Sequence, residues 1–140
     1  MLISDLDLRL IEKMSKNLQE QNNSDLIEDK DVYAALVNLK DANSNENYDK
    51  YYLVSSLETL YYCFSVMLSE VRQKKREITT ALFEQNPKLA QEKSVLKEKL
   101  DAEPEFAILH KNEEQLFQFI EHIQNIKNNI IYLCKEDVEQ

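Results

Sequence analysis

The chain of 140 residues contains no glycine, where average usage would supply about ten. Tight turns, left-handed helix ends and phosphate-cradling loops all rely on that residue. Its absence argues against hairpin-built sheets, P-loops and dinucleotide-binding turns. Tryptophan is missing too, and Pro87 and Pro104 are the two prolines that can interrupt a helix. The rest, 43% hydrophobic and 31% charged, suits packed amphipathic helices rather than a disordered chain. An all-α fold follows, of a length that fits one domain.

The apolar pattern places the helices. Ser4 is a predicted N-cap with Asp5 and Asp7 behind it, and Leu6, Leu10, Ile11, Met14 and Leu18 recur at helical spacing. Gln19–Ser24 reads as a polar break. Asp29 or Asp31 then opens a second short helix through Val32, Leu36, Val37 and Leu39, so residues 1–40 form an N-terminal helical part. Residues 41–47, Asp-Ala-Asn-Ser-Asn-Glu-Asn, read as a polar linker, because Asn, Asp and Ser bond their own backbone there.

Residues 48–140 are predicted to form a long antiparallel helical hairpin or coiled coil. From Tyr48 to Gln85, Leu57, Leu60, Phe64, Met67, Val71, Ile78 and Ala81 follow a heptad seam broken by Lys74. Tyr51, Tyr52, Tyr61 and Tyr62 make its first half apolar on more than one face, which predicts the thick part of a bundle. Pro87 should stop this helix. A helix over 88–100 follows, then a corner at Asp101–Pro104, then a helix from Pro104 to about Cys134. Leu109, Leu116, Ile120, Ile123 and Ile130 keep its seam, with Glu113 and Lys127 as charged members. Such an elongated pair covers little of its own apolar surface. Self-association is therefore expected, with Leu109, Leu116, Ile120, Ile123 and Ile130 as the oligomer or partner interface.

Chemistry is sparse. His110 and His122 stand twelve positions apart, which is not a metal-ligand spacing. HExxH, GxSxG, CxxC and glycine-rich signatures do not occur. Glu92, Glu98, Glu113 and Glu114 read as a solvated face. No enzyme activity, metal or cofactor is expected. Cys63 and Cys134 read as buried free thiols of a reducing, cytoplasmic compartment. Asp5, Asp7 and Arg9 leave no apolar signal-peptide core, and no run approaches the ~18 apolar residues of a membrane span.

A net charge of −9 disfavours generic nucleic-acid binding. One segment departs from it: Arg72, Lys74, Lys75 and Arg76 fall within five positions. They read either as solubilising charge paired with Glu70 and Glu77, or as a contact for phosphates or an acidic partner. The tyrosine cluster reads as core or interface, or as a stacking platform for bases.

The stretches Leu60–Ile78 and Glu92–Ile123 resemble the T4-type phage recombination mediator (UvsY) family. In that family a long basic-flanked helix leads through a short acidic corner to an amphipathic, oligomer-forming C-terminal helix. The resemblance places the corner at Asp101, Ala102, Glu103 and Pro104. It puts Leu109, Leu116, Ile120 and Ile123 on the oligomer-forming helix, and Arg72, Lys74, Lys75 and Arg76 on the basic one. It implies a non-enzymatic oligomer that binds single-stranded DNA and helps load a recombinase. The residues read alone leave a second function open, a helical protein–protein adaptor or a secretion or viral chaperone that binds no nucleic acid.

Overall fold

The computed structural model describes residues 2–44 and 50–139, with side chains to Leu133. Among these residues every regular element is helical: α1 (Asp5–Gln21), α2 (Asp29–Ser44), α3 (Lys50–Gln85), a 3-10 helix (Pro87–Ala90), α4 (Lys93–Asp101) and α5 (Pro104–Glu139). No residue among them has positive φ, in keeping with a chain that has no glycine.

Ser4 caps α1 as predicted. Its backbone is extended, and its Oγ accepts from the Asp7 N–H at 3.1 Å. The buried stripe is Leu8, Ile11, Ser15 and Leu18, whereas Leu6 and Leu10, expected inward, are exposed. The reason is that α1 packs on both α2 and α5. The arc between those neighbours is the one that runs through Ile11 and Leu18.

The second helix does not end at Asp41. It continues to Ser44 because Asn43 is drawn inward rather than left to compete with the helix. Its Oδ1 accepts from the Ile3 N–H at 3.0 Å, and its Nδ2 donates to the Ile3 carbonyl at 2.9 Å. A buried amide thus takes the place of a backbone partner for Ile3. The rest of the expected linker, 45–47, and the expected start of the third helix at Tyr48 lie outside the described residues.

α3 stops before Pro87. Asn86 is extended, and its side chain accepts from the Lys88 N–H at 3.3 Å. The single helix expected over 88–100 is two pieces, the 3-10 helix and α4. This break lets Leu89 bury itself, at 1% exposure, while the 3-10 helix packs on α3. Pro104 opens α5 as predicted, and α5 runs past the expected end at Cys134.

Contacts fix the directions. Ile3 meets Asn43, and Ser24 and Asp25 meet Glu70. Along α3 and α5, Glu58 faces Lys127, Phe64 faces Phe119, and Arg72 faces Glu113. Neighbours therefore run antiparallel: α2 lies against α1 and α3, and α5 lies against α3 and α1. This four-helix part holds one apolar cluster, with Leu57, Leu60, Phe64, Leu116, Phe119 and Ile123 among its fully or almost fully buried members. Beyond Val71 and Leu109 only α3, the 3-10 helix, α4 and α5 continue, as a thinner tip.

Two charged positions of the expected seam pin the register. Glu113 answers Arg72 and Lys75 of α3. Lys127 stands 3.9 Å from Glu58 and 5.7 Å from the Tyr61 ring centre. The third, Lys74, is exposed. The tyrosines do not thicken the core: Tyr51, Tyr52, Tyr61 and Tyr62 are exposed. Leu53, Leu57, Leu60 and Phe64 already fill the inward arc of α3 and leave the tyrosines on its outer arcs. Cys63 is buried and free. Burial, and then the nearby Asp31 charge, push its thiol above the ordinary value. No helix among the described residues is long and apolar enough to cross a membrane.

Candidate functional site

The basic run straddles the point where the four-helix part gives way to the tip. It is divided by helical geometry: Lys75 and Arg76 stand three and four positions from Arg72 and share its side, whereas Lys74, two positions on, does not. Arg72 and Lys75 reach Glu113 of α5, and Arg76 lines the same notch. Lys74 points elsewhere and borders a small cleft beside Gln21, Asn22 and Leu109. The structure therefore gathers three of the four predicted residues and leaves the fourth apart.

The pairing expected with Glu70 and Glu77 is not the one formed. Glu70 instead holds the loop between α1 and α2, taking hydrogen bonds from the Ser24 hydroxyl and the Asp25 N–H. The partner of the basic residues is Glu113, 38 positions from Lys75, which it meets at 3.1 Å; Arg72 Nε lies 3.4 Å from the same carboxylate. Glu113 and Lys75 are mostly buried, and Arg72 is half exposed. Arg76 takes no carboxylate among the described residues and bonds the Gln73 side chain through Nε and Nη2, at 3.2 and 2.8 Å.

Two aromatic rings complete the site. Lys75 Nζ lies 4.9 Å from the centre of the Phe106 ring, a cation–π geometry. Phe106 in turn stacks on His110, with centroids 6.5 Å apart and planes within 5°. Lys75 also sits 3.0 Å from His110 Nδ1. An ammonium can only donate, so Nδ1 accepts and the ring proton lies on Nε2, which faces Glu114 at 3.3 Å. Arg72, Lys75, Arg76, Thr80, Phe83 and Phe106 line an open notch between α3 and α5, of about 440 Å³, with Glu113 at its inner end. Sequence reading missed Phe83, Phe106 and Glu113 as site residues. The signal was present in part, since Phe83 lies at i+7 from Arg76 and shares its face, but nothing local tells which stretch of α5 stands opposite.

The five residues assigned to an oligomer interface occupy another place. Leu109, Leu116, Ile120, Ile123 and Ile130 are all buried in the chain's own core. The seam that was expected to need a second copy is closed by α3 on one side and α1 on the other. Any contact between copies would use other residues.

Among the described residues no group of three or more His, Cys, Asp or Glu side chains has the arrangement to hold a metal ion. Comparison with protein families, curated proteins and solved structures finds no match.

Proposed function

We propose that the chain is a non-enzymatic accessory protein that holds single-stranded nucleic acid in the notch between α3 and α5. Helping a recombinase onto that strand is the specific role that the sequence resemblance implies. The observation that carries the reading is the joining of three cations with two aromatic rings, Phe83 and Phe106, drawn from two helices. Channels for single strands combine these elements, cations to track phosphates and rings on which bases stack. The notch volume falls within the range of about 300–1,000 Å³ usual for small-ligand sites, which suits one or two nucleotide units.

Charge distribution supports the same orientation. Residues 72–111 carry nine Lys or Arg against seven Asp or Glu, while the remaining residues carry eight against nineteen. A polyanion is repelled by the four-helix part and tolerated at the tip. Glu113 acts as an internal competitor, because a phosphate must take Arg72 and Lys75 from it. Affinity per copy is then weak, and copies brought together would raise it through effective concentration.

The test is anisotropy of a labelled single-stranded oligonucleotide at low and moderate salt. With one or two phosphates engaged by the three cations, the logarithmic salt slope is expected to be about −1. Arg76→Glu and Phe83→Ala should each weaken binding, the first with a smaller salt slope and the second without one. Absence of salt-sensitive binding by the folded wild-type protein overturns the reading.

A further inference from the structure

Along the outer side of α2 and α3 runs an open groove of about 890 Å³, on a different face from the notch. Its floor is built from small side chains. Ala34, Ala35 and Ala42 come from α2, and Ser55, Ser56 and Thr59 from α3; with Asp31 and Asn38 on α2, and Tyr52 and Tyr62 on α3, the lining of each helix recurs every three or four residues. The hydroxyls ask little of a visitor. Ser56 Oγ donates to the Tyr52 carbonyl at 2.8 Å, and Thr59 Oγ1 donates to the Ser55 carbonyl at 3.0 Å. Tyr52 and Tyr62, both exposed, stand toward the two ends of the α3 wall.

The charges that the described residues bring to this groove have one sign. Among the described residues its lining includes Asp31 and Asp41 and no Lys or Arg. Neither carboxylate takes part in an ion pair among the described residues. Ten positions of helix separate them, about 15 Å. Both walls are helices whose backbone groups are already bonded, so a visitor gains no ladder from them and must satisfy its own backbone. A helix does so, and its ridges fit a valley between two helices when small residues allow close approach.

We infer that the α2–α3 groove is a docking site for a basic amphipathic helix of a protein partner. About three turns of that helix would lie over Ala35 and Ser56, with Lys or Arg side chains reaching Asp31 and Asp41. This surface stands independently of the nucleic-acid reading, and either can fail without the other.

The test uses the full chain and a labelled synthetic peptide of about fourteen residues. The peptide carries a Leu/Ala stripe at helical spacing and two Lys about ten positions apart. Wild-type protein is expected to bind it, and not the same peptide with Glu in place of Lys. Asp31→Asn with Asp41→Asn should weaken binding about tenfold or more. Thr59→Arg, at an exposed position on the floor, should abolish it, with circular dichroism confirming an unchanged fold. Glu20→Gln with Glu121→Gln, both exposed elsewhere, should leave binding as in wild type. Equal binding by the groove variants, or of the Glu peptide, overturns the inference. So does light scattering that shows a wild-type dimer which Thr59→Arg dissociates, since a second copy would then cover the groove.

Discussion

The four-helix part and the tip are made from the same two long helices, yet they differ in how they are held. In the four-helix part α3 turns nine residues inward, from Leu53 to Val71. Each of its helices has two neighbours, and an inward side chain such as Phe64 meets an aromatic partner, Phe119, edge to face at 4.8 Å. In the tip α4 buries no residue at all, and Leu89 of the 3-10 helix is the fully buried anchor. Charge divides along the same line, acidic where the helices are four deep and slightly basic where they are not. Helical pattern alone does not confer stability; the number of covered sides does, because burial supplies most of the gain. The thin region thus leaves the side chains between its two long helices uncovered, which is where the notch opens.

The largest effects should separate the two regions. Phe64→Ala is expected to cost about 3–5 kcal/mol, and its denaturation midpoint should fall in one transition that includes every helix. Leu89→Ala should cost about 2–3 kcal/mol but act locally. Hydrogen exchange followed by mass spectrometry should then quicken over α4 and the 3-10 helix and leave α1 and α2 unchanged. A global response to Leu89→Ala would erase the distinction between tip and body.

Asn43→Ala comes next. It leaves the Ile3 N–H and carbonyl unpaired in a buried place, at about 1–3 kcal/mol, and should quicken exchange at the start of α1 and the end of α2. Glu113→Gln is smaller, about 1 kcal/mol or less, and carries opposite signs. It should lower thermal stability slightly while tightening nucleic-acid binding, because Arg72 and Lys75 lose their competitor. Weaker binding by this variant would mean that Glu113 positions the cations rather than masks them.

The smallest effect concerns Cys63. Its thiol is held above the ordinary value by burial and by Asp31, so the neutral form is the one the fold favours. That stabilisation is complete below the ordinary thiol range and is lost as pH rises through it toward the raised folded value. Native-state reaction of Cys63 with a thiol reagent should therefore be slow at neutral pH. Asp31→Asn should ease its ionisation slightly.

What the sequence disclosed was what depends on neighbours along the chain. Ser4 as a cap, Pro87 and Pro104 as boundaries, and the inward series from Leu57 to Val71 are local or periodic facts. What it withheld depends on partners far away. Leu6 and Leu10 lost the inward arc to Leu8 and Ser15 because two other helices decide which side of α1 is covered. Asn43 looks like a loop residue until Ile3 is placed beside it. The basic cluster was visible, and Phe83 stands seven positions on along the same helix, yet the counter-charge Glu113 and the second ring, Phe106, emerge only when the register of α3 against α5 is known. The expected interface along α5 was read correctly as apolar. The chain's own α1 and α3 cover it, which no pattern in α5 could reveal.

A backbone with no left-handed residue among those described has a consequence for the history of such a chain. Every described turn is made in conformations open to ordinary residues, so no turn ties a position to glycine. Substitution is restrained mainly by size and polarity on the inward faces, where Leu, Ile and Met replace one another at modest cost. Descendants of one ancestor can then drift far apart in letters while keeping the same helices. Kinship in such a lineage is better sought in the spacing of its buried positions than in shared residues.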